Sequence, residues 1–335
     1  MLKSTIIKAA ALFCLGIVIV INDYVIVIGQ TKGPVLVALN KAESTLTIID
    51  PISMKVTGTV VTGESPHEVV LSADGSTAFV ANYGAQTPGS SISVIDVATA
   101  REIRKVDLFP LMRPHGLQMI GGKLYFTAET NRLIARYDPS ANKVDWMMGT
   151  GQNGSHMVVG TGDQKRFYTA NIGSDSVTSF EFQNAPPAGS KVVHIPVGKQ
   201  PEAIDLSPDG KEIWTGLNAE GAIDIVDTAT NQFKEKVKIG GRPYRVKFTP
   251  DGKYVVNTMV ATKEILVVDA ATRKEAKRIK LESVPLGIVF SDDGKTAFVT
   301  VVEPDLILKL DLEKGVVLGQ VGAGKGPDGI AVSGI

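Results

Sequence analysis

From Pro34 to the end, the chain alternates short apolar runs with turn residues, and Ser65 to Gly84 shows the unit most plainly. A proline opens an alternating run through Val69 and Leu71, Asp74-Gly75 makes a turn, and a second apolar run ends at Asn82. That order predicts a β-hairpin. The hairpin recurs, and the residue after its proline, or after Ser155 in the third unit, marks the register: His67, His115, His156, Glu202, Tyr244, Leu286 and Asp328. The gaps are 48, 41, 46, 42, 42 and 42 residues. A second register, an acidic residue closing a later strand, falls at Asp50, Asp96, Asp138, Glu181, Asp227, Asp269 and Asp311. Both count seven, and a period of this length predicts a propeller or a solenoid.

Each unit supplies four short strands. In the one opening at Pro243 they are Arg245 to Thr249, Tyr254 to Met259, Ile265 to Asp269 and Lys274 to Lys280. Asp and Thr in the turn after the third strand suit local capping of backbone amides and need no catalytic explanation. The sheets carry apolar residues on both faces, so they must stack face to face around an axis. The last first-strand, Gly329 to Ser333, has no partner after it, and Val35 to Asn40, Leu46 to Asp50 and Lys55 to Val61 have no first strand before them. Together they complete one blade. The expectation is an all-β fold, a seven-bladed β-propeller of four-stranded antiparallel blades over residues 33–335, its ring closed by N-terminal strands on the C-terminal strand.

Composition narrows the partners. Thirty-five basic and 35 acidic residues leave no net charge, which argues against nucleic acid or an anionic membrane surface as the main partner. Residues 1–29 differ from the rest: Lys3 and Lys8 precede an uncharged run from Ala9 to Ile21, the pattern of a secretory signal. Left uncleaved, Ala9 to Gly29 has the length of a membrane anchor, the one route to a membrane. A periplasmic or extracellular location is expected. The sole cysteine, Cys14, lies in this segment, so the remainder has no disulfide or thiolate chemistry.

The second strands carry Phe79-Val-Ala-Asn82, Tyr168-Thr-Ala-Asn171 and the looser Trp214-Thr-Gly-Leu217 before Asn218, and Pro208-Asp-Gly210 and Pro250-Asp-Gly252 form matching turns. These resemble the YVTN-repeat β-propeller family of exported proteins across the whole mature chain. The resemblance implies a binding or interaction module, acting on a small molecule or a protein at the channel mouth. Function itself does not follow from a propeller fold.

Candidate chemistry sits where the repeats differ. Four consecutive units place His67, His115, His156 and Glu202 at the register position, and three of the chain's four histidines are among them. Near each comes the end of a second strand: Asn82, Glu129, Asn171 and Asn218, at 15, 14, 15 and 16 residues further on. Two readings are open. Three imidazoles with carboxylates suit a divalent metal, the one cofactor considered; equally, strand parity puts the histidines on the buried side of Val69 and Leu71 as core-edge residues. Arg113, Arg242 and Arg245 flank the same mouth and suit an anionic ligand or rim salt bridges. His194 falls on an outer strand. Pro114-His-Gly-Leu117, Leu124-Tyr-Phe-Thr-Ala-Glu129 and Asn131-Arg-Leu133 resemble one repeat of the streptogramin lyases, which implies His115 as general base or metal neighbour with Glu129 as its partner, in a metal-dependent lyase or lactone hydrolase. Longer loops at Gly84 to Ser90 and Gln183 to Ser190 are candidates for recognition. No haem-attachment motif, nucleophile elbow or phosphate loop is present.

Overall fold

The computed structural model describes residues 18–21, 24–27, 33–183 and 190–335. It divides into two units, Met1–Gly33 and Pro34–Ile335. In the first, Val18–Ile21 pairs antiparallel with Tyr24–Val27; the rest of the expected export segment, including Cys14, and most of the Gln183 to Ser190 loop lie outside the described residues. Among the described residues no helix is long and apolar enough to cross a membrane.

The second unit is a seven-bladed β-propeller of four-stranded antiparallel sheets. Blades 1 to 6 open with first strands Pro66–Leu71, Pro114–Ile120, Ser155–Gly160, Pro201–Leu206, Pro243–Phe248 and Val284–Phe290. Blade 7 joins the two ends: Pro327–Ser333 pairs with Val35–Asn40, followed by Thr45–Asp50 and Lys55–Val61. Within each blade, second and third strands are almost wholly buried and the fourth is mostly exposed. The apolar clusters sit between neighbouring blades. One gathers Phe79, Ile92 and Val94 of blade 1 against Leu117, Leu124 and Phe126 of blade 2; another sets Phe298 and Ile307 of blade 6 against Leu36, Ala38 and Ile330 of blade 7. No blade therefore has a core of its own, and burial at roughly 25 cal/mol per Å² is gained only by stacking.

Polar side chains stitch the blades where apolar contact ends. Asn82 is 2% exposed; its Oδ1 accepts the Gly63 N–H from the loop arriving from blade 7, while its Nδ2 donates to Ser91 and Ser93 at 3.0 Å each. Asn40 repeats this with Gly324, Thr45 and Thr47, while Asn171 accepts the Ser155 hydroxyl within its own blade and donates to Ser176 and Thr178. Threonines of the second strand act between blades. Thr127 accepts the Gly116 N–H at 2.9 Å and donates to the His156 carbonyl of the next blade at 2.6 Å; Thr258 and Thr300 make the same bridge to Leu286 and Asp328. The third-strand turns are capped as expected, Asp96 and Asp269 each accepting from the backbone and hydroxyl of the threonine three residues on.

If the shared blade closes the ring, removing residues 327–335 exposes the edge of Val35–Asn40 and two inter-blade faces. We expect the truncated chain to lose more than about 4 kcal/mol, beyond an ordinary single substitution, or to aggregate through the open edge. Differential scanning calorimetry and light scattering against the full chain check this.

Candidate functional site

Each first strand begins with a β-bulge. In blade 1, Pro66 pairs with Asn82 and Val69 with Val80, so three steps on one strand face two on the other; all seven first strands show such a register shift. A bulge leaves a residue outside the ladder and re-aims its side chain. Strand parity therefore does not carry through the register position, and the expected placement of the histidines beside Val69 and Leu71 is corrected: they turn toward the axis, at the face where chains enter the blades.

There the three imidazoles meet. His67 Nδ1 lies 3.1 Å from His115 Nε2, and the His115 and His156 rings meet with centroids 3.7 Å apart and planes tilted by 31°. Tyr83 stacks on His67 at 4.4 Å and 15°, and the Arg113 guanidinium lies over the Tyr83 ring at 4.6 Å. Glu129 binds His156 Nδ1 through one oxygen and accepts the Tyr83 hydroxyl, at 2.5 Å, through the other. The expected partnership of Glu129 with His115 is thus replaced by one with His156 of the next blade. Gly116 makes this proximity possible: a Cβ there would stand 2.6 Å from Met157 Cα and 2.7 Å from the His156 carbonyl oxygen.

The hydrogen bonds assign protons. A carboxylate on Nδ1 holds His156 with its proton there, so the Nε2 lone pair points away from Glu129; that nitrogen has no protein partner among the described residues. His115 Nδ1 is buried without a partner. Buried N–H groups are left unpaired less often than acceptors are, so His115 donates from Nε2 to His67, and His67 Nε2 faces the Ser65 hydroxyl at 3.4 Å. Burial, then the charge of Lys41, lowers the His67 pKa to about 4; burial and the two neighbouring imidazoles push His115 well below the ordinary value. Burial presses the Glu129 carboxyl up, but His156 and Tyr83 together outweigh it and hold it below its usual range. Burial and Glu129 raise Tyr83 to about 12.

The other expected residues divide. Glu202 stands apart from the imidazoles, bonded to Asn218 and 3.8 Å from the exposed Arg242. Among the described residues no three His, Cys, Asp or Glu side chains are arranged to hold one metal ion, so the four-membered set of His67, His115, His156 and Glu202 does not converge. Asn82 and Asn171 are not at the mouth: they are fully used inside the framework. Spacing misaligned them, because blade 2 turns through two glycines, Gly121 and Gly122 at φ 57° and 74°, between paired Ile120 and Lys123. That tight turn removes two residues, so Asn82 and Asn171 match Ala128 and Leu217, while Glu129 and Asn218 match Tyr83 and Ile172. Tyr83 was missed for this reason, and counting across the paired strands finds it.

Arg245 is not on the rim. It is 4% exposed, crosses the axis to Glu68 of blade 1 and lies 3.8 Å from Asp328. Tyr244 donates to Asp328 at 2.9 Å, and Lys41 reaches it at 3.3 Å. This plug of Glu68, Arg245, Tyr244, Asp328 and Lys41 closes the channel at the histidine face, so the site is a surface over blades 1 to 3 and not an open mouth. His194 is exposed on its fourth strand, touching Thr178.

No family model matches the chain. Over 165 residues, 43% of its length, it is 28% identical to antigen Lp49 of Leptospira interrogans, and this match spans 35% of that protein, so the chain covers about a third of its curated relative. Among solved structures it is similar to a functionally unknown protein from Desulfotomaculum acetoxidans (TM-score 0.76, 11% identity, 89% of this chain and 98% of that one). It is also similar to a chain of Kuenenia stuttgartiensis hydrazine synthase (TM-score 0.69, 20% identity, 79% and 89%). These likenesses show the propeller fold.

Two predictions follow from the site. Replacing Gly116 by Ala forces backbone apart between blades 2 and 3 and should cost about 1–3 kcal/mol, as overpacking does, while shifting the C2–H resonances of His115 and His156; unchanged denaturation and spectra would contradict the close approach. The second concerns pH. An unfolded histidine binds its proton near pH 6.5 and folded His67 only near 4, so the unfolded chain binds more protons between those values. Stability from His67 is full above about 6.5, falls as pH drops to about 4, and amounts to about 3 kcal/mol at most. Urea titrations at pH 7 and pH 4.5 should show this loss, and His67→Gln should reduce it by close to one proton's worth.

Proposed function

We propose that this chain is an exported propeller of the YVTN-repeat type that works as a binding module, its ligand seated over blades 1 to 3 on the histidine face. One observation carries the reading: Tyr83, Glu129 and the three imidazoles are held to each other in a single network, which leaves His156 Nε2 as an acceptor without a protein partner among the described residues, while the Arg113 guanidinium lies over the Tyr83 ring of the same network. Such a surface is preorganised, so binding costs little ordering of side chains, and a network that carries both a free acceptor and a cation favours a small molecule or peptide group with both a donor and an anionic oxygen. The basic start and uncharged run of residues 1–21 support export to the periplasm or beyond.

The Glu129–His156 pair favours a second reading. An imidazole oriented through Nδ1 by a carboxylate is equipped to take a proton through Nε2, and a lyase or lactone hydrolase would use it so. A divalent metal bound through His156 Nε2 would supply Lewis acidity there, with ligands beyond those the present rotamers bring together.

A ligand-observed NMR screen of small amino acids, hydroxy acids and sugars tests the first reading, alongside assays on chromogenic esters and lactones and metal analysis of the purified protein. The binding module predicts hits that disappear in His156→Ala and Glu129→Ala, and no turnover. Turnover abolished in Glu129→Gln, or about one equivalent of metal lost in His156→Ala, would replace it with the second reading.

A further inference from the structure

Each blade ends in a fourth strand with no strand beyond it among the described residues. Such an edge carries a row of unpaired N–H and C=O groups, a template for another chain that folded proteins blunt with bulges and charges. Six of the seven blades interrupt the row with a bulge. In blade 1 Val94 pairs with Arg104 and Ile95 with Glu102, which leaves Ile103 outside the ladder, and blades 2, 4, 5, 6 and 7 skip one residue at the equivalent place. A bulge bends the strand and increases its twist, so a second strand does not lie flat along it.

Blade 3 is the exception. Its fourth strand, Ser190–Pro196, pairs with Ser176–Phe182 through seven consecutive positions without a break. The parity of that ladder follows from the Val197 N–H, which donates to the Asp175 carbonyl. Counting back in steps of two, Ile195, Val193 and Lys191 turn their backbone groups to the third strand, and His194, Val192 and Ser190 turn theirs outward. All three outward residues are exposed, Val192 at 39%. The strand holds one lysine and no acidic residue, and the Lys191 ammonium lies 4.0 Å from Glu181 of its own sheet. Pro196, the next outward position, has a carbonyl but no N–H.

We propose that this edge pairs with the same edge of a second copy, antiparallel, about a twofold axis at Val192, so that two four-stranded sheets join into one. In this register Val192 meets the partner's Val192, Ser190 faces the partner's His194, and the N–H and C=O of all three outward residues are satisfied together. Lys191 faces the partner's Val193, so no like charges stand directly opposite each other. The neighbouring registers are worse. Moving the axis to Lys191 sets two ammonium groups face to face; moving it to Val193 sets Pro196, with nothing to donate, against the partner's Ser190. A second copy is favoured over a foreign strand because the edge complements itself at this one register, apolar to apolar and hydroxyl to imidazole. An isologous pair closes on itself, and with the other six edges bulged the assembly stops at two.

Static light scattering against concentration reads the assembly, on the full chain with Cys14→Ser to remove the native thiol. The mass should rise from that of one chain towards that of two. Val192→Lys sets ammonium groups opposite each other at an exposed position, so it should keep the wild-type circular dichroism and stay monomeric over the same range. The axis makes a second, geometric demand. In a hydrogen-bonded antiparallel pair, opposed Cα atoms lie about 5.5 Å apart, within the roughly 4.4–6.8 Å that a disulfide bridges. With oxidised glutathione, Val192→Cys should therefore link into a dimer, whereas Ser190→Cys, which faces the partner's His194 and not its own copy, should not. A wild type monomeric at every concentration, a dimer that survives Val192→Lys, or equal linking of the two cysteine variants overturns the proposal. So does a monomer that binds an unrelated valine-threonine peptide and loses it in Val192→Lys, which would give the edge to a foreign strand. The cysteine pair decides if Val192→Lys does not fold.

Discussion

The structure depends on one backbone contact, the pairing of Pro327–Ser333 with Val35–Asn40. Every apolar cluster is shared between neighbouring blades, so a blade without a neighbour on each side has no interior. An open array would leave two such faces in water, whereas a ring leaves none. The chain solves this by dividing one sheet between its ends, and the core of blades 6, 7 and 1 then holds both ends together.

Ring closure also sets the geometry of chemistry. Seven first strands converge on the axis, and at the histidine face each strand is locally released from its ladder. The bulge at the start of each first strand supplies that release. It turns residues 67 and 68, 244 and 245, and 328 inward, and the same device yields two different outcomes. In blades 1 to 3 the inward residues are imidazoles in contact with one another; in blades 5, 7 and 1 they are Arg245, Asp328 and Glu68, which join across the axis. A buried ion pair of this kind is weak evidence of stability, but it fixes which end of the channel is shut.

Much of this was legible in the chain. The hairpin marks locate every blade because turn chemistry and alternation are local, and the unpaired strands at the two ends require the shared blade. The adjacency of His67, His115 and His156 follows from their common register. What was not legible depends on offsets and on distance across the ring. A two-glycine turn in blade 2 displaced the count, so Asn82 was set beside Glu129 when Tyr83 belongs there. A one-residue bulge overturned parity. The contact of Arg245 with Glu68, 177 residues away, joins blades that are not neighbours, and no periodicity reports the width of a channel.

His67 joins the two polar systems. On one side it bonds His115 and stacks on Tyr83; on the other its proton affinity answers to Lys41, Asp328 and Arg245 of the plug, the two cations lowering it and the carboxylate raising it. Desolvation keeps this ring neutral, and a neutral ring can pass only one hydrogen bond in each direction, so its tautomer is tied to that of His115. A change of charge in the plug therefore acts on the histidine surface through His67, by altering the proton affinity of a ring already committed to its neighbour. The converse also holds, because linkage between titrating groups is reciprocal: a proton placed on His67 acts back on the charges of the plug. The plug is thus an electrostatic neighbour of the histidine surface as well as the stop that shuts the channel at that face.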